Sequence, residues 1–176
     1  MSQGNESGAG INIKAGSVFI GKTISQVSFL LKQEVNPVSE NLVYCRLYRS
    51  GSFVHTFGTT DPDNITVGSF GWYSFGTSGD ADAGNGSVTL EEGDRILVSW
   101  YRGGAYNDTA LGIAHSTSDV HDGTATNFIK LQAGTWTEYD AKDACFKIVG
   151  TTPATWALEF FNPTDTTLFS TSTGWT

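Results

Sequence analysis

Carboxylates at alternate positions of a glycine-rich loop can wrap a calcium ion, which takes about six to eight oxygen ligands. The run from Asp80 to Glu91, D-A-D-A-G-N-G-S-V-T-L-E, has that character. Asp80 and Asp82 stand at the first and third places of an EF-hand-like loop and Glu91 at the twelfth. Gly84 and Asn85 break the pattern at the fifth and sixth places, so an acidic solvated loop stands beside calcium as the alternative. Asp61-Pro62-Asp63-Asn64 is a second oxygen-rich segment, with its proline where a type I turn wants one. His115, Asp119, His121 and Asp122 supply ligands suited to zinc. The spacing of the two histidines matches no helical site, and a solvated loop is expected there.

Aromatic rings beside hydrogen-bonding groups suit a saccharide, whose apolar ring face stacks while its hydroxyls are bonded. Trp100, Tyr101 and Tyr106 with Arg102, Asn107 and Asp108 make such a set within one strand-plus-loop segment. Trp72 and Tyr73 make another; adjacent strand residues face opposite ways, so one ring is buried and the other is left for stacking, for subunit contact or simply exposed. Glycoside hydrolysis needs two flanking carboxyl groups. Glu138 in W-T-E-Y and Glu159 in W-A-L-E-F-F are the pair to name, and both fall on outward positions. There is no G-x-S-x-G elbow and no H-E-x-x-H. The expectation is a protein that is not an enzyme, with no required cofactor and calcium as the one ion to consider.

The elements that must hold these residues are strands. Apolar runs alternate with period two and end at Gly, Asn, Asp or Ser: Thr23 to Lys32, Leu42 to Arg49, Phe53 to Phe57, Ile65 to Phe75, Val88 to Leu90 and Arg95 to Tyr101. Leu111 to Ala114, Phe128 to Leu131, Trp136 to Tyr139, Ala144 to Val149, Thr155 to Phe161 and Thr167 to Ser170 follow. Ile24 is out of phase with Val27, Phe29 and Leu31, which predicts a bulge near Ser25 and Gln26. Tyr44, Arg46 and Tyr48 share one face of their strand. Cys45 and Cys145 fall on strands whose alternation sends them to different environments, so free thiols are expected. The pattern predicts an all-β chain, a jelly-roll or Greek-key β-sandwich of two antiparallel sheets in a single domain.

Composition limits the partners. The 176 residues are 39% hydrophobic and 12% aromatic, enough for one core, while only 16% are charged. A net charge of −8 disfavours nucleic-acid phosphates, and no apolar run is long enough to insert in a membrane. Met1 to Gly10 has neither the basic nor the apolar region of a signal peptide.

Three segments taken together, Ser17 to Lys32, Leu90 to Gly104 and Trp136 to Gly150, resemble the non-catalytic jelly-roll β-sandwich modules of surface, extracellular and virion proteins. The resemblance spans about residues 16–150 and implies a fold and a class, with carbohydrate binding found in some members. It divides the chain into an N-terminal arm (1–15), the sandwich (16–150) and a C-terminal β extension (151–176). The arm carries Ile11 and Ile13, and the extension carries Phe169 and Trp175. Apolar termini of this kind can pair with a neighbour by strand addition. The first expectation is therefore a self-assembling attachment subunit on a virion surface or extracellular filament, with these four residues at the contacts. A carbohydrate-binding module for a glycan or polysaccharide comes second, and a small glycoside hydrolase third.

Overall fold

Alternation drives these segments into strands because it gives each one an apolar face, and two such faces close on one another. The computed structural model describes residues 6–33, 42–76, 86–101, 111–132, 134–150, 161–162 and 165–168. In chain order the strands are β1 (Glu6–Ile13), β2 (Thr23–Gln33), β3 (Val43–Arg49), β4 (Ser52–Thr60), β5 (Gly71–Phe75), β6 (Val88–Thr89) and β7 (Arg95–Tyr101). They continue as β8 (Leu111–Ile113), β9 (Thr126–Gln132), β10 (Thr135–Tyr139), β11 (Phe146–Gly150), β12 (Phe161–Asn162) and β13 (Asp165–Leu168). No described helix is long and apolar enough to cross a membrane.

Two antiparallel sheets result. One has six strands in the order β10-β9-β1-β7-β3-β4. The other has the order β11-β2-β5, with β6 and β8 also paired to β2. Leu31 pairs with both Gly71 and Ile113, which puts β8 on the β11 side of β2. Ile24 pairs with both Val88 and Gly150, which puts β6 on the β5 side. Among the described residues, β12 and β13 pair only with each other. Between the sheets lies a core drawn from both, including Ile11, Ile13, Leu47, Ile96, Val98 and Phe128 from the first and Val27, Phe29, Leu31, Phe75 and Phe146 from the second.

Local devices set the registers. Val149 faces Gln26 and Gly150 faces Ile24, so Ser25 is the extra residue of a bulge that turns Ile24 back into the core. β3 and β4 are joined by Ser50 and Gly51, both with positive φ (50° and 78°), as a two-residue hairpin of the tightly twisted kind requires. β4, an edge strand, carries two further bulges, at Val54 and Phe57.

The expectation of an N-terminal arm with Ile11 and Ile13 offered to a neighbour is overturned for the described part of that segment. β1 lies inside the six-stranded sheet, with β9 on one side and β7 on the other. Ile11 and Ile13 are 0% exposed within the chain's own core. Gly8 and Gly10 take the alternate positions because the β7 backbone passes close by. A Cβ at Gly10 would run into the Ile96 carbonyl oxygen, and one at Gly8 would come within 2.7 Å of the Val98 oxygen.

Candidate functional site

Alternation on β1, β7 and β9 sends Ser7, Trp100, Phe128 and Lys130 toward the space between the sheets, at the end where β8 approaches. There the sheets part around a cavity of about 330 Å³, lined by these residues with Ile113, His115 and Gln132 among others. Trp100 and Phe128 supply aromatic wall. The His115 ring packs 4.8 Å from Phe128, and its Nδ1 lies 2.7 Å from the Ser116 carbonyl oxygen. A carbonyl only accepts, so Nδ1 carries the hydrogen and the neutral ring keeps Nε2 as an acceptor. The Lys130 ammonium sits 5.8 Å from the Phe128 centroid and 5.6 Å from that of Tyr139.

Ser7 completes the set. It is 5% exposed, and its Oγ has no hydrogen-bond partner among the described residues. A buried polar atom left unbonded costs about 1–3 kcal/mol, so this hydroxyl is a donor and acceptor in search of a counterpart. No Asp or Glu lines the cavity among the described residues. The described lining is thus aromatic wall with a few hydrogen-bonding groups at its edge.

The saccharide set expected around Trp100 is rearranged accordingly. Trp100 is 8% exposed and forms a cavity wall, so it is no surface platform. Tyr101 is the last residue of β7, while Arg102, Tyr106, Asn107 and Asp108 lie outside the described residues. Trp72 and Tyr73 do split between the faces of β5. Tyr73 turns inward, and its hydroxyl accepts from the Thr66 amide at 2.7 Å; Trp72 turns outward at 37% exposure.

Asp80 and Asp82 lie outside the described residues. The third expected calcium ligand, Glu91, sits 2.6 Å from Arg49 Nη1. Arg49 also grips Asp94 through two bonds, Nε to Oδ1 at 2.7 Å and Nη2 to Oδ2 at 2.8 Å, and donates to the Thr89 carbonyl. Asp94 is 0% exposed and accepts the Glu91 amide at 2.8 Å. The G-D turn before β7 is thus a clamp joining β3 to the β6–β7 connection, with Glu91 already engaged by a guanidinium.

The segment around His115 and His121 is built in, contrary to the solvated loop expected there. His121 is 5% exposed, its ring 5.7 Å from Phe19 and 6.4 Å from Phe146. Asp122, at φ 45°, binds the Thr126 amide and hydroxyl through its two oxygens. Asp143, 2% exposed, accepts the amides of Val120 at 2.7 Å and His121 at 2.9 Å through Oδ2, while Oδ1 has no partner among the described residues. Burial outweighs those two donors and pushes the Asp143 carboxyl up to about 6, with Asp119 adding to the rise. No three His, Cys, Asp or Glu among the described residues group as metal ligands would.

Glu138 is paired to Arg95 at 3.2 Å and Lys14 at 3.8 Å; Glu159, its proposed catalytic partner, lies outside the described residues. Phe169 and Trp175 lie outside them as well. Both cysteines are free and buried. Cys45 is in the main core, and Cys145 packs outside the second sheet with Leu30 and Ala114. Burial raises both thiols, Cys145 to about 12.

Sequence reasoning missed Glu6. It is 2% exposed on the outer face of the six-stranded sheet, where one carboxylate oxygen accepts from Ser99 Oγ at 2.6 Å, Tyr48 Oη at 2.7 Å and Arg46 Nη1 at 3.2 Å. Burial and the nearby carboxylate raise the Tyr48 phenol above its ordinary value. The Arg46 guanidinium stacks 3.9 Å from the Tyr44 ring. Only the shared face of Tyr44, Arg46 and Tyr48 hinted at this network.

Comparison with known proteins finds no match among family models, curated proteins or solved structures.

Proposed function

We propose that this protein is a non-enzymatic binding module of the jelly-roll type, which takes a single saccharide ring into the cavity walled by Trp100 and Phe128. The observation that carries the reading is the Ser7 hydroxyl, buried on the cavity wall with no hydrogen-bond partner among the described residues. A sugar hydroxyl supplies both a donor and an acceptor, the apolar face of a pyranose suits the aromatic walls, and Lys130, Gln132 and His115 offer further bonds. The volume, near the lower end of the range for ligand pockets, suits one ring better than a chain.

The test is calorimetric titration with a panel of neutral hexoses and N-acetylhexosamines. At least one should bind, and Ser7→Ala should weaken it about fivefold, the worth of one neutral hydrogen bond. The same substitution should leave the melting temperature unchanged or raised, because it removes an unbonded polar atom. A panel without a binder, or a Ser7→Ala variant of unaltered affinity, would sink the reading.

A second reading, a subunit of a virion surface or extracellular filament, draws on Phe53 and Val54. They are 57% and 43% exposed near the tip of the β3–β4 hairpin. The two bulges of β4 blunt that edge against simple strand addition, so this contact would be made by side chains.

A further inference from the structure

Carboxylates are in excess in this chain, 18 Asp and Glu against 10 Lys and Arg. Lys14, Arg46, Arg49 and Arg95 have each taken one within ion-pair distance. Lys130, which is exposed and lines the cavity, has not. Among the described residues its ammonium makes no ion pair and donates no hydrogen bond; its neighbours are the rings of Phe128 and Tyr139. Lys142, in the connection before β11, holds its ammonium 5.5 Å from the centroid of the same Tyr139 ring. It too has no carboxylate partner among the described residues. The Phe128 side of the cavity therefore carries positive charge that the described chain does not neutralise.

Strand geometry sets the Lys130 ammonium opposite the unbonded Ser7 hydroxyl. Lys130 faces Ala9 across the β1–β9 ladder, and Ser7 lies two residues from Ala9 on the same face. Diagonal neighbours of that kind are about 7–8 Å apart. A pyranose laid against Phe128 or Trp100 spans such an interval, with a ring hydroxyl toward Ser7 and the exocyclic carbon toward Lys130. In a neutral hexose that carbon bears a hydroxyl, and the ammonium stays unpaired. In a hexuronate it is a carboxylate, which forms a charge-assisted hydrogen bond with the ammonium. The exchange adds a single oxygen, in keeping with a cavity of about 330 Å³, near the lower end for ligand sites; a phosphoryl group adds far more bulk.

Resting on the saccharide reading of this cavity, we propose that its ligand is an acidic monosaccharide of the hexuronate class. Lys130 pairs with the carboxylate, Ser7 bonds a ring hydroxyl, and Lys142 reinforces the local positive field.

The test is calorimetric titration of the full chain with matched methyl glycosides: glucuronate against glucose, galacturonate against galactose, and the uronamides, which keep the shape and lose the charge. At least one uronate should bind about fivefold more tightly than its hexose and its amide, the upper end for a single exposed ion pair. Lys130→Gln should bring that ratio to about one, and Lys130→Glu should invert it. Neither should lower the melting temperature, because Lys130 has no ion pair to lose among the described residues. Ser7→Ala should weaken uronate and hexose alike and keep the ratio. A hexose that binds as tightly as its uronate overturns the proposal and leaves the saccharide reading standing; if no sugar of either kind binds, both fall. A ratio that survives Lys130→Gln overturns the proposal, as does a hexose phosphate that binds more tightly than the uronate.

Discussion

Asp143 lets the protein report on its own packing through pH. Its side chain is 2% exposed, and the carboxyl is raised from 3.8 to about 6 by burial, which the amides of Val120 and His121 only partly offset. The folded state therefore binds this proton more tightly than the unfolded chain does. Between about pH 3.8 and 6 the unfolded chain has released the proton and the folded one has not, so stability falls as pH rises through that window and levels above it. A displacement of about two units corresponds to a total fall of about 3 kcal/mol, of which about 2 kcal/mol lies between about pH 4.5 and 8. Asp143→Asn mimics the protonated acid: its carbonyl can accept the same two amides and nothing titrates. Urea unfolding followed by tryptophan fluorescence should show the variant gaining on the parent as pH rises, the gap widening by about 2 kcal/mol from about pH 4.5 to 8. Taking the difference between the two proteins removes the other carboxylates from the comparison. A gap that is constant across that range, or that narrows with rising pH, would refute the reasoning. The effect also bears on the cavity, because Asp143 holds the segment that begins at His115 on the cavity wall.

Arg49→Met removes both bonds to Asp94 and leaves a fully buried carboxylate without its cation; the cost should be about 3 kcal/mol in urea unfolding, and a loss under about 1 kcal/mol would show that the clamp is ornamental. If the hairpin tip mediates assembly, sedimentation velocity should show concentration-dependent oligomers that Phe53→Asp abolishes; a monomer at all concentrations would remove the subunit reading.

Features written within a single strand were legible. Ile24, one step out of phase, announced the bulge that the register places at Ser25, and the neighbours Trp72 and Tyr73 part to opposite faces as pleating demands. β1 was illegible for a physical reason. Its alternate positions are Gly8 and Gly10, chosen because the β7 backbone leaves no room for a Cβ, so a buried central strand has the composition of a tail. Glu91 read as a cation ligand because its real partner, Arg49, sits on β3 and reaches it only after folding. The cavity was hidden in the same way: Ser7, Trp100, His115 and Lys130 come from separate segments, and no local pattern announces an unbonded hydroxyl. Trp100 could be singled out as a useful ring, but its depth depends on strands on both sides of it.

The central position of β1 bears on how the chain reaches its native state. Glu6 must find Tyr101 and Gly8 must find Leu131, so nothing can receive this segment until β7 and β9 have both been synthesised. Until then the glycine-rich stretch has only part of its slot to enter, and β7, once made, lacks the neighbour that will lie beside it. Folding should accordingly be slow, as it is wherever distant pairings come first, and its last committed event should be the entry of β1 into that slot.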